Sequence, residues 1–183
     1  MCIRDRYLSR FIQSIPIVSD GSPILNGYEL NTYNEITDEM IFSFSLYGRA
    51  ISSLTNDDVR VSKRIFLPSS KLRGFEAGKV GPKDSEDFIG GNYATAINAA
   101  TTVPYIFQTL ETMDMVVFLD AANVWGVDYS DTIDDSDKIR SSFGVAIDWF
   151  TVIGPVNLSL AQPISKASTD KTESFRFQIG TSF

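Results

Sequence analysis

Apolar and polar residues alternate with a period of two through most of this chain. The alternation is plainest in Phe175-Arg176-Phe177-Gln178-Ile179-Gly180-Thr181-Ser182-Phe183, where odd positions are apolar or Thr and even positions are small or polar. Successive side chains of a strand point to opposite faces, so this pattern predicts a strand with one apolar and one wet face. Comparable segments lie at about 10–18, 23–35, 39–52, 92–104, 114–126, 138–150, 155–163 and 173–183, which predicts eight strands and no long helix. In the sixth, Ile139, Phe143, Val145, Ile147 and Trp149 share one face, while Arg140, Ser142, Gly144, Ala146 and Asp148 share the other. In the third, Met40, Phe42, Phe44 and Leu46 oppose Ser43, Ser45, Tyr47 and Arg49.

An apolar face meets either a second sheet or lipid. Several segments reach the roughly 9 to 11 residues that a tilted strand needs to cross a bilayer, whereas soluble strands average about 5 or 6. The faces opposite the bulky ones carry Asn98, Ala100, Gly144, Ala146, Asp148 and Ser159, small or polar as a wet lumen allows. Long connections at about 53–91, 127–137 and 164–172 alternate with shorter ones at about 36–38, 105–113 and 151–154. Outer-membrane barrels have this parity, with long loops outside and short turns in the periplasm. The expected fold is therefore all-β: an antiparallel up-and-down transmembrane β-barrel.

Composition narrows the chemistry. The chain has 183 residues, 43% of them hydrophobic, with a net charge of −7, no His and one Cys, Cys2. Without His, imidazole acid-base catalysis, the usual Ser-His hydrolase and the commonest zinc sites are unavailable. No apolar run approaches the roughly 18 residues of a spanning helix, and no basic cluster suggests nucleic acid. No catalytic group, metal site or cofactor site is expected. The acidic run Asp128, Asp131, Asp134, Asp135 and Asp137 reads as a solvated outer loop in preference to a cation site. Trp125, Trp149 and Phe183 suit a membrane interface, and Arg140 and Arg176 are expected to line the lumen. Met1-Cys2-Ile3-Arg4-Asp5 resembles a translated sequencing adapter, so residues 1–6 are set apart and 7–183 taken as barrel.

The longest loop holds Leu72-Arg73-Gly74-Phe75, then Gly81-Pro82, then Gly90-Gly91 at the entry to the next strand. Gly74 permits backbone conformations closed to other residues, Arg73 offers a rigid guanidinium fork, and Phe75 supplies an apolar anchor. An arginine tip held inside a barrel needs a carboxylate. Further along come Phe118-Leu119-Asp120, Asn123-Val124-Trp125, Ile139-Arg140 through Trp149, Ile153-Gly154-Pro155, Ala161-Gln162-Pro163 and the aromatic terminus.

From about residue 40 onward, this ordered set resembles the BamA family of outer-membrane β-barrel assembly factors, within the bacterial surface antigen superfamily. The resemblance implies a barrel fragment forming an open curved sheet, about eight strands from the C-terminal half of a barrel of about sixteen, in the bacterial cell outer membrane, with POTRA domains in the parent protein. It implies that the loop bearing Arg73, Gly74 and Phe75 folds into the lumen and meets acidic groups on inner strand faces. Asp120 matches one such group. The second acidic position is Ala100 here, which leaves Asp148, inward on the next strand, as a candidate replacement. Gly81, Gly90 and Gly91 serve as loop and strand-entry glycines. Phe175, Phe177, Ile179 and Phe183 form the terminal seam strand, one lip of a lateral gate at which client strands add by β-augmentation. The implied partners are outer-membrane lipid and lipopolysaccharide, unfolded client β-barrel proteins and BAM accessory lipoproteins. Two rivals remain: a two-partner secretion or TamA-like barrel of the same superfamily, and a passive porin-type channel.

Overall fold

A computed structural model describes residues 6–15, 23–37, 40–55, 57–103, 112–130, 132–133, 138–152 and 154–180. Among them run ten strands: β1 (Arg6–Ser14), β2 (Pro23–Thr37), β3 (Met40–Ser53), β4 (Lys83–Asp84), β5 (Asp87–Phe88), β6 (Tyr93–Val103), β7 (Met113–Trp125), β8 (Arg140–Thr151), β9 (Gly154–Ser165) and β10 (Phe175–Ile179). Eight form one antiparallel sheet in the order β1-β2-β3-β6-β7-β8-β9-β10. Each of the eight pairs with its neighbours in chain order, and β1 and β10 are each bonded on one side, so the sheet is open. The other two strands make a small hairpin inside the long loop, too short for a period-two pattern to reveal. No helix among the described residues is long and apolar enough to cross a membrane, which says nothing of crossing by strands.

The strand expected at 10–18 runs from Arg6 to Ser14 instead, and the last is described only to Ile179. Phe183, Ile153 and the loop acids Asp131, Asp134, Asp135 and Asp137 lie outside the described residues, as do residues 1–5.

Alternation sorts the two faces. Leu119, Phe143, Leu160, Phe175 and Phe177 are exposed on the outer face. Their neighbours Asp120, Ser142, Ala161 and Arg176 are buried on the inner one, covered by the segment 54–92 that links β3 to β6. Ile65, Leu67, Leu72, Phe75 and Val80 of that segment pack against Tyr47, Ile51, Ala94, Ala96, Ala122 and Val124 of the sheet. The inner face beneath the loop is therefore packed. Ala146 and Ser159 are buried, and Ala146 packs with Phe118 and Ala161. Small inner side chains here make room for a packed loop, and a face of small residues looks the same in sequence whether water or a loop fills the space.

Candidate functional site

The loop is fastened where it leaves and re-enters the sheet. Ile65 and Gly91 exchange backbone hydrogen bonds at 2.8 and 3.0 Å. A side chain at Gly91 would collide with the backbone of Trp125, so only glycine lets the loop lie this close to β7. Gly90 turns at φ +67° beside the Ile65 carbonyl, and Gly81 lies against Val124. Asp128 braces the same region by accepting from Val59 N at 2.9 Å and from Asn92 Nδ2. Among the described residues, no group of His, Cys, Asp or Glu could hold a metal ion.

A short 3-10 turn, Ser69–Lys71, then delivers Arg73 to the inner face of β7. Arg73 Nε and Nη2 donate to Asp120 Oδ2 and Oδ1, both at 2.7 Å, and the Arg73 backbone N–H adds a bond to Oδ2 at 3.1 Å. Asn98, opposite Asp120 on β6, donates to Oδ1 at 2.9 Å and to the Lys71 carbonyl at 2.9 Å. The fully buried carboxylate thus receives donors at both oxygens, using most of its acceptor capacity. The guanidinium carbon lies 3.4 Å from the centroid of the Phe118 ring, a cation–π placement. Gly144 makes that ring position possible, since a Cβ there would stand 2.7 Å from Phe118 Cζ.

Ser142, opposite Asp120 on β8, donates to the Arg73 carbonyl at 2.5 Å. Gly74 follows at φ +87°, where an added Cβ would stand 3.1 Å from Ala161 Cβ and 3.2 Å from Ser142 Cβ. Conformation and space both call for glycine. Phe75 is buried, and its backbone bridges to Thr172 in the loop joining β9 to β10. That loop straps the motif down through Glu76 N to Lys171 O, Lys171 N to Lys79 O and Glu173 N to Gly74 O, at 2.9, 3.2 and 3.1 Å.

Asp148 does not join Arg73. It accepts from Asn157 Nδ2 at 2.6 Å on β9, and Ala100 packs against the cluster of Phe118, Ala146 and Ala161. Phe175, Phe177 and Ile179 point outward from β10 and are exposed. Arg140 and Arg176, expected to line the lumen, lie on the inner side and are buried. Arg140 pairs with Asp170, and Arg176 donates to loop carbonyls. Inward parity marked both arginines, but their acceptors lie in loops that no pattern positions. Lys71 donates to Ser45 Oγ at 3.2 Å. Burial pushes its amine below the ordinary Lys range, opposed by Glu29, reinforced by Arg49 and opposed by Asp120.

The chemistry of the Arg73–Asp120 arrangement is that of a clamp. The Omp85 superfamily domain matches residues 19–183. The chain belongs to the Omp85 superfamily. It is 28% identical over 139 residues to outer membrane protein assembly factor BamA of Neisseria meningitidis serogroup B, covering 61% of this chain and 17% of that protein. It is 29% identical over 144 residues to BamA of Neorickettsia risticii, covering 76% and 19%. The crystal structure of BamA from Haemophilus ducreyi lacking POTRA domains 1–3 superposes with a TM-score of 0.73 at 22% identity, covering 94% of this chain and 41% of that one. That likeness shows the fold, an Omp85 barrel sheet. The chain spans about a fifth of the length of the curated relatives it matches.

Proposed function

We propose that the Omp85 protein containing this chain folds and inserts other β-barrels into the bacterial outer membrane, as an assembly factor and not an enzyme. The observation that carries this reading is the motif loop clamped on the inner face by the two-point bond of Arg73 to buried Asp120. A loop held this way keeps strands β6 to β10 in one shape while the sheet edge stays free to exchange partners.

The mechanism follows from that edge. An unpaired strand edge offers N–H and C=O groups to any incoming strand, and a client strand adds to it by β-augmentation. β10 is one lip of a lateral gate, with Phe175, Phe177 and Ile179 toward lipid and its backbone toward the client. Clients are unfolded outer-membrane β-barrel proteins. Lipopolysaccharide-bearing lipid surrounds the barrel, and BAM accessory lipoproteins attend it.

Cells depleted of the wild-type protein and supplied with Arg73→Ala test this directly. Folded outer-membrane barrels are expected to fall and unfolded precursors to accumulate, with the variant itself present in the membrane. Normal barrel levels together with Arg73-independent conductance in planar bilayers would point to a passive channel instead.

A further inference from the structure

Arg176 is the buried inward residue of an edge strand, and its guanidinium is spent on the motif loop. Nη1 donates to the Ser69 carbonyl at 2.7 Å and Nη2 to the Phe75 carbonyl. Nε and Nη2 also meet Glu173 Oε2 at 3.0 and 2.8 Å. Two residues along β10, Gln178 Nε2 donates to Ser69 Oγ at 3.3 Å. The two captured carbonyls bracket Arg73 in sequence. The segment 69–75 is therefore gripped from two sides, by Asp120 on β7 and by Arg176 on β10.

We infer that Arg176 is a positioning residue that latches the edge strand to the motif loop, so that loop order and the seating of β10 form one equilibrium. The pairing of β10 explains why a latch matters. Among the described residues it is bonded to β9 over five residue pairs, Phe175↔Leu160 to Ile179↔Val156, with the Ser174 carbonyl and the Gly180 N–H adding a backbone bond at either end, whereas β8 and β9 pair over eleven. The bonds from its inner face to the loop give β10 a second attachment beside its backbone pairing with β9. Glu173 contributes at both ends of the latch, its carboxylate orienting Arg176 and its backbone N–H donating to the Gly74 carbonyl at 3.1 Å. A guanidinium suits the task because its planar fork reaches two carbonyls and a carboxylate at once, which a lysine ammonium at the end of a flexible stem does not reproduce.

The inference goes beyond the assembly reading and does not depend on it, since its test reads order and not client folding. Hydrogen exchange of the full-length protein in lipid nanodiscs is compared for wild type, Arg176→Gln and Asp120→Asn, following peptides covering 69–80 and 172–180. Asp120 lies on β7, separated from β10 by β8 and β9. A latch transmits its loss across that span. Both variants are expected to raise exchange in both peptides by about tenfold or more, the scale of losing charge-assisted hydrogen bonds, while β2 and β3 keep wild-type protection. Arg176→Lys is expected to fall between wild type and Gln in both peptides together, and serves in place of Gln if that variant does not insert. Loosening of β10 alone in the Arg176 variants, or wild-type protection of 172–180 in Asp120→Asn, would overturn the inference.

Discussion

Arg140 and Asp170 meet fully buried in a two-point ion pair, Nε to Oδ2 at 2.9 Å and Nη2 to Oδ1 at 3.1 Å. The pair joins the first residue of β8 to the strap between β9 and β10. Arg140 Nη1 also donates to Asn123 Oδ1 and to the Lys138 carbonyl, each at 2.8 Å, and Asp170 Oδ2 accepts from Ala167 N at 2.7 Å. Removing one partner of such a pair strands a buried charge. Asp170→Ala is expected to destabilise the barrel by about 3–5 kcal/mol, and Asp170→Asn by less. Denaturant unfolding in detergent, followed by heat-modifiable gel migration, measures both; equal midpoints for Asp170→Ala and wild type would contradict the assignment.

The two inward aspartates should separate by mutation. Asp120 receives the Arg73 fork, whereas Asp148 accepts from Asn157. Asp120→Ala is therefore expected to release the loop and to cost about 3 kcal/mol or more. Asp148→Ala should cost on the order of 1 kcal/mol and leave the loop in place. Protease cleavage within 69–80 reports loop release. Comparable cleavage in the two variants would restore Asp148 as a partner.

Lys71 makes docking of the motif loop pH-dependent. Its docked amine titrates below the ordinary 10.5 because burial disfavours the charged form. Between the lowered value and 10.5 the undocked amine keeps a proton that the docked one has lost, so docking strengthens as pH rises through that window and is weakest below it. Competitive acylation of Lys71 across alkaline pH should show a midpoint under 10.5. A midpoint at or above that value in the folded protein would contradict the burial seen here.

This chain alone leaves both sheet edges open. β1 carries Tyr7 and Phe11 outward, about two-thirds exposed, and β10 carries Phe175 and Phe177. Unpaired edges combined with a wide apolar face favour intermolecular pairing. The isolated 183-residue chain is expected to aggregate or to need detergent and partner strands. A monomeric, cooperative unfolding transition in detergent-free buffer, checked by sedimentation, would refute this.

Much of the sheet was legible because strand periodicity is a local property. Arg140, Ser142 and Ala146 on one face of β8, and Phe143 and Trp149 on the other, follow from alternation alone. The meander order followed from the alternation of long and short connections and from a pattern that predicts no long helix. The motif loop was legible as a candidate through Arg73-Gly74-Phe75, and the family resemblance matched Asp120, at an inward position, as its partner. Whether Asp148 joins as a second partner was out of reach, because it too faces inward and the answer turns on where the Ser69–Lys71 turn places Arg73. Asn98 and Ser142 became legible only once register set them opposite Asp120.

The sequence by itself determined which residues face lipid and which face inward, since a pleated strand permits only two directions for a side chain. Only the tertiary structure decided how the loop packs on the inner face, that Ala94, Ala96 and Ala122 are small to seat it, and that Arg176 holds it from the last strand. These depend on contacts between residues far apart in the chain. Phe75 and Arg176 are 101 positions apart, and no local pattern encodes where a long loop comes to rest.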